Sequence, residues 1–257
     1  MLPNGHATGD YGSIDELIES MERIETQLDL RNDQRRFFHS TYLRTTKAVR
    51  DEVRSRGFHD IEWVERWDLV FAGLYLRSYE AYEATGTAPG PWPIAFARAE
   101  DRSLPPLSHV LLGMNAHINF DLAQALVAVI TPDEFADASL IERRGRDHRH
   151  IDSVLAERVA AEDKELKKVE LPGQRTLLDR LLTPFNRLGT RRFLAESREK
   201  VWHNARLLNE ARVNSEETYA NRLAELAALS RERVQNLAQP GQVILQLARQ
   251  GFGVRLC

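Results

Sequence analysis

The sequence predicts an all-α fold: an irregular multi-helix bundle of about nine helices around a buried central helix spanning roughly residues 107–130. Three observations lead there. Apolar residues recur at helical spacing, as in Ile14, Leu17, Ile18, Met21, Ile24 and Leu28. Strand-like alternation is missing, as are hairpin dipeptides between β-branched runs. The run Leu107 to Ile130 contains no Lys, Arg or Glu, and a helix that is apolar all round is a buried one.

Each element has its own signal. Ser13 with Glu16 makes a capping box for the first helix. A second follows Asn32-Asp33, carries Phe37, Phe38, Tyr42, Val49 and Val53, and stops at Gly57. Asp60 caps a third, which presents Trp63, Trp67, Val70, Phe71, Leu74 and Tyr75 before Gly86. Thr85 to Pro93 is a Pro/Gly-rich loop, a short helix spans Ile94 to Ala99, and Pro105-Pro106 leads into the central helix. Thr131-Pro132-Asp133-Glu134 combines a capping box with proline at the first helical position, so a new helix starts there. Gly145 is expected to break it, with an amphipathic helix from Asp147 to Lys168. Further helices are expected over Gln174–Asn186, Thr190–Asn209, Ser215–Asn236 and Gln242–Gln250. The chain reads as a single domain, residues 1–257, with Leu171-Pro172-Gly173 as its best internal boundary.

Composition narrows the class. The chain has 257 residues, 42% hydrophobic and 28% charged, enough for a substantial core and unlike a disordered or fibrous protein. A net charge of −3 gives no bulk drive toward nucleic acid or anionic lipid, so neither is an expected partner. The basic stretch Arg187, Arg191, Arg192, Arg198, Lys200, Arg206 is interrupted by Glu196 and Glu199 and reads as a solvated helix face. The single cysteine, Cys257, excludes an intrachain disulfide and a Cys-ligated zinc site. With no signal-peptide pattern in Met1 to His6, the expected location is cytoplasmic. Leu104 to Thr131 is long enough to raise the membrane question. His109, Asn115, His117, Asn119, Asp121 and Gln124 within it mark a core helix instead.

Those polar residues are the candidate site. At about 100° per residue, His117 and Asp121 lie roughly 40° apart, as do Asn115 and Asn119 on the opposite side, with Gln124 near the His117 face. A buried aspartate needs a proton, a cation or a metal, and His117 is its nearest partner. Such a pair fits general acid–base work, with Asp121 orienting the imidazole. It also fits two ligands to a divalent metal such as zinc, or a structural hydrogen bond locking helix packing. Gly113, one turn before His117, implies close approach of another helix or of a ligand. Asp68, in the apolar setting Trp67-Asp68-Leu69-Val70-Phe71, joins Asn115, Asn119 and Gln124 as a candidate substrate-positioning residue. His148 and Asp152 repeat the spacing, but beside Arg146, Asp147, Arg149 and His150 they read as exposed. His203 reads as a packed, satisfied histidine, and His39 and Tyr42, near the apolar face of the second helix, as weaker candidates still.

The string Gly113-Met114-Asn115-Ala116-His117-Ile118-Asn119-Phe120-Asp121-Leu122 resembles a bacterial family catalogued as a domain of unknown function. Phe38 to Thr46 and Asp68 to Leu76 are similar to it too. The resemblance implies a helical fold and groups Asp68, Asn115, His117, Asn119 and Asp121; it implies no activity. A fainter likeness is to the zinc-dependent phospholipase C and P1-type nuclease superfamily, whose metal helix reads Ala-His-x-x-x-Asp-(Ile/Leu)-x-Gln-Pro-(Leu/Met)-His. Ala116 to Val127 is similar, and His148 and Asp152 fall where that superfamily's next ligand pair stands. Val127 replaces a ligand, however, and the N-terminal tryptophan is missing. The likeness implies metal-dependent phosphoester hydrolysis with one or two ions.

Two functional expectations follow. One is a small-molecule enzyme with a pocket at the central helix, in which case the polar cluster borders a cavity open to solvent. The other is a non-catalytic helical binding or interaction protein whose network is closed and satisfied internally. Val243, Ile244, Leu245, Leu247 and Phe252 are costly to leave in water, so the C-terminal segment packs on the domain or on a neighbouring subunit as a homo-oligomer contact.

Overall fold

Helix starts along the chain are set by short polar side chains that satisfy otherwise orphaned N–H groups. In the computed structural model, which describes residues 11–104, 106–169, 177–239 and 251–257 apart from the side chains of 107, 152 and 155–195, α1 (Ile14–Leu30) begins where Ser13 Oγ accepts the Glu16 N–H at 3.2 Å. The Glu16 carboxylate reaches back one residue further than a capping box requires, to the Gly12 N–H at 2.9 Å. Then come α2 (Arg36–Arg54) and α3 (Ile61–Thr85). Asp60 caps α3 through the Trp63 N–H, and Gly86 ends it at φ 73°, a left-handed conformation that suits glycine. After α4 (Trp92–Arg98) the central helix runs as α5 (Pro106–Ala116), a π-helical turn over His117–Asp121, and α6 (Leu122–Val129). α7 (Pro132–Ala136) has both bonds of the Thr131/Glu134 capping box.

Counting α5, the π turn and α6 as one, the described residues form nine helices with no strand. α8 (Ala138–Val169) passes straight through Gly145, where a break was expected. The break falls instead at Asp137, whose Oδ1 accepts the N–H groups of Ser139 and Leu140 and so starts a helix. α9 (Leu177–Asn214) is continuous where two helices were expected, and α10 (Glu216–Leu237) is capped by Ser215. The expected boundary at 171–173 and the expected helix at 242–250 lie outside the described residues.

The central helix is surrounded by α2, α3, α4, α9 and α10, which explains why none of its faces carries a Lys, Arg or Glu. Trp63, Tyr75 and Trp92 are fully buried on the neighbouring helices, and Leu112, Leu126 and Ile130 on the central helix and its C-cap. Gly113 lets α2 approach: a Cβ there would lie 2.3 Å from the Phe38 ring. Among the described residues no helix is long and apolar enough to cross a membrane.

Candidate functional site

The π-helical turn carries the pair that the spacing singled out. Its defining bond runs from the Leu122 N–H to the His117 carbonyl, five residues back, and such bulges recur at functional sites. His117 Nδ1 lies 2.9 Å from Asp121 Oδ2, and the same oxygen accepts the Trp92 indole N–H at 2.9 Å. An oxygen that already receives one N–H is best placed to receive a second, so Nδ1 carries the proton and Nε2 is left as a bare acceptor. Both side chains are buried. Burial pushes the imidazole below its usual range, against the pull of Asp121. It pushes the Asp121 carboxyl up, against its bonds to His117 and Trp92. Phe71 stacks flat on the His117 ring at 3.7 Å and Tyr42 meets it edge-on at 4.6 Å, which fixes the ring plane.

His117 opens onto a cavity of about 120 Å³ between α2, α3, the central helix, α8 and α9. Its walls include Phe38, Val49, Phe71, Ile118, Leu122 and Ile151. Thr41, Thr45, Met114 and Ile118, also on its lining, are partly exposed, so it reaches solvent. Four lining residues bring buried polar atoms without a hydrogen-bond partner among the described residues: Trp67 Nε1, Asp68 Oδ2, His117 Nε2 and Ser197 Oγ. Tyr42 Oη is a fifth, close to Thr46 but outside hydrogen-bond geometry. Burial, reinforced by Glu65, pushes Asp68 up to about 7.

Of the residues expected to position substrate, Asp68 lines this cavity, while Asn115, Asn119 and Gln124 do not. The two asparagines face the other way and hold the chain's C-terminal residues. Their Nδ2 groups donate to the Phe252 carbonyl at 3.1 and 3.0 Å, and Asn119 Oδ1 accepts the Val254 N–H. Asn204 on α9 repeats the pattern one step along, donating to Val254 O and accepting from Leu256 N. Two amide side chains thus grip an extended backbone as a neighbouring strand would. Gln124 donates to the Phe120 carbonyl within its own helix. The wheel that placed it beside His117 assumes an unbroken α-helix; the π turn inserts a residue and rotates everything beyond it by about 100°.

His148 was expected on the surface and is buried, at 4% exposure. Its Nδ1 accepts the Trp202 indole N–H at 2.9 Å, its ring meets Trp67 edge-on at 5.2 Å, and it lines the cavity. Some of the charged groups around it on α8 are themselves buried or paired, while Arg149 is exposed. Asp147 accepts the N–H groups of His59 and Asp60, and Arg144 pairs with Glu134 and lies over Trp63. Asp152's side chain lies outside the described residues. His39 and His203 are satisfied structurally, the first by Tyr75 and the Met21 carbonyl, the second by the Leu256 carbonyl.

The sequence profile of a family of unknown function, DUF5995, matches residues 14–240. The chain belongs to DUF5995. No curated protein and no solved structure matches it. The matched span of the DUF5995 chain contains every described residue lining the cavity. The described donor set of this DUF5995 site does not fit a zinc centre. His117 and Asp121 turn their facing atoms on each other rather than toward a shared ion. His148 Nδ1 is taken by Trp202, and Val127 is packed in the core. Among the described residues no three His, Cys, Asp or Glu side chains form a group able to hold a metal ion, whereas catalytic zinc takes three protein ligands.

Proposed function

We propose that this protein is an enzyme performing general acid–base chemistry on a small molecule, of the hydrolytic type, with His117 as base. One observation carries the reading: the free ring nitrogen of His117 and the Asp68 carboxyl, two groups able to exchange a proton, line the same cavity, with Tyr42, Trp67 and Ser197 beside them. Each buried atom without a partner costs on the order of 1–3 kcal/mol, a cost that a substrate bonded to these groups would recover. In this reading His117 Nε2 takes the proton from a water attacking the substrate, and Asp121 stabilises the imidazolium that forms. Tyr42 Oη donates to the oxygen that gains charge. Asp68, still holding its proton near neutral pH, gives it to the departing oxygen.

The test is hydrolysis of 4-nitrophenyl acetate, a generic acyl probe for a reactive imidazole. His117→Gln should lower the protein-dependent rate about 100-fold, with the melting temperature followed to confirm folding. His203→Gln, remote from the cavity, should leave the rate unchanged. Equal rates for wild type and folded His117→Gln would remove the proposal.

A further inference from the structure

The cavity holds a second imidazole whose protonation is fixed in the opposite sense. An indole N–H only donates, so the bond from Trp202 Nε1 requires His148 Nδ1 to accept, and the His148 proton sits on Nε2. No hydrogen bond to His148 Nε2 is found among the described residues, and the ring lines the cavity. Burial, with Arg198 and Arg149 nearby, keeps it far below its usual range and therefore neutral. His117, held by Asp121, presents an acceptor instead. The two rings stand at opposite ends of an aromatic row along α3: His117 on Phe71 at 3.7 Å, Phe71 on Trp67 at 5.6 Å, Trp67 to His148 at 5.2 Å.

We infer that this cavity is a binding site for an uncharged, ring-sized molecule with a hydroxyl on one side and a carbonyl-type oxygen on the other. The hydroxyl donates to His117 Nε2 and the carbonyl oxygen accepts from His148 Nε2–H. Size, wall and polarity each contribute. The volume of about 120 Å³ is close to the roughly 150 Å³ of an apolar cavity that takes up benzene. Phe38, Val49, Leu122 and Ile151, with Phe71 and Trp67, give a ring an apolar wall. Both polar ends are neutral imidazoles, which recognise oxygen without requiring a charged ligand to give up its hydration. Trp67 Nε1 and Ser197 Oγ supply further donors toward an acceptor oxygen. The inference rests on the acid–base reading for the role of His117 and adds His148 as the residue that selects the ligand.

The experiment is calorimetric titration of the whole protein with five ring compounds: 4-hydroxybenzaldehyde, benzaldehyde, 4-methylphenol, toluene and 4-hydroxybenzoate. The first should bind about tenfold more tightly than either compound lacking one oxygen, as one net hydrogen bond implies, and toluene should bind most weakly. His148→Leu should erase the advantage of the aldehyde over 4-methylphenol, and His148→Gln, which returns an N–H at that reach, should restore it. An aldehyde oxygen that adds nothing in the wild type, or whose advantage survives in His148→Leu, overturns the inference. Tighter binding of 4-hydroxybenzoate than of the aldehyde overturns the uncharged class and assigns that end to Arg198, which also lines the cavity. If instead the hydroxyl adds nothing over benzaldehyde, the His117 end of the inference is overturned, while the acid–base reading of His117 stands or falls separately on the 4-nitrophenyl acetate rate. The wild-type series alone decides the matter should a His148 variant not fold.

Discussion

Asp68 is a carboxyl in a dry place. Its ordinary value is 3.8 and burial takes it to about 7, so between those values the folded chain holds a proton that the unfolded chain has lost. Stability must therefore fall as pH rises from about 4 to 7, because the native state binds more protons there. Above 7 the full penalty, on the order of 4 kcal/mol as a ceiling, weighs on the folded protein. Asp68→Asn should flatten this slope and raise the denaturation midpoint at pH 8 while leaving it nearly unchanged at pH 4; urea melts at the two values check it. At this scale the sequence was informative where the setting was apolar. Asp68 and the His117–Asp121 pair stood out because apolar residues flank them: Trp67, Leu69, Val70 and Phe71 beside the first, and Ala116, Ile118, Phe120 and Leu122 beside the second. His148 did not, because Arg146, Asp147, Arg149 and His150 surround it in sequence and give no hint that α8 turns Asp147 and Arg144 inward to bind the loop before α3 and Glu134.

Among the elements, caps were readable and interruptions were not. Ser13, Asp60, Thr131 and Ser215 each begin a helix through a hydrogen bond that their side-chain chemistry announces. Gly145 suggested a stop that tertiary packing overrides, whereas Asp137 starts α8 as any short acid before a helical run can. The π turn has no composition signal at all, and it is why Leu122 rather than Gln124 meets the cavity. Gly113 lets Phe38 of α2 sit against the central helix. Gly113→Ala would drive a methyl into Phe38, so α2 must shift, at about 1–3 kcal/mol. Chemical denaturation should show that loss despite alanine's better helix propensity, and Phe38→Leu in the same chain should recover part of it.

Across the whole molecule, the all-α class and the burial of the helix near 107–130 were legible from period and charge alone, because each is a property of many residues at once. The C-terminal grip was half legible: the apolar residues near the end had to be covered, but the asparagines that hold them looked like site residues. Removing one grip should be felt by the entire fold. Asn119→Ala and Asn204→Ala each strand backbone groups of Phe252, Val254 or Leu256 and should cost about 1–3 kcal/mol in urea unfolding. Gln124→Ala, whose one bond is to a carbonyl within its own helix, should cost far less. Equal losses at all three positions would show that the grip carries no special weight.

The bonds from Asn119 to Phe252 and Val254 join residues separated by 133 and 135 positions. Closing so long a loop is slow compared with forming a helix, and a ribosome delivers residue 254 well after residue 119. During synthesis the turn that bears His117 therefore cannot be braced by these bonds until residues 252 and 254 have been made. Chains still being synthesised carry the imidazole and its carboxylate long before they carry the segment that steadies them.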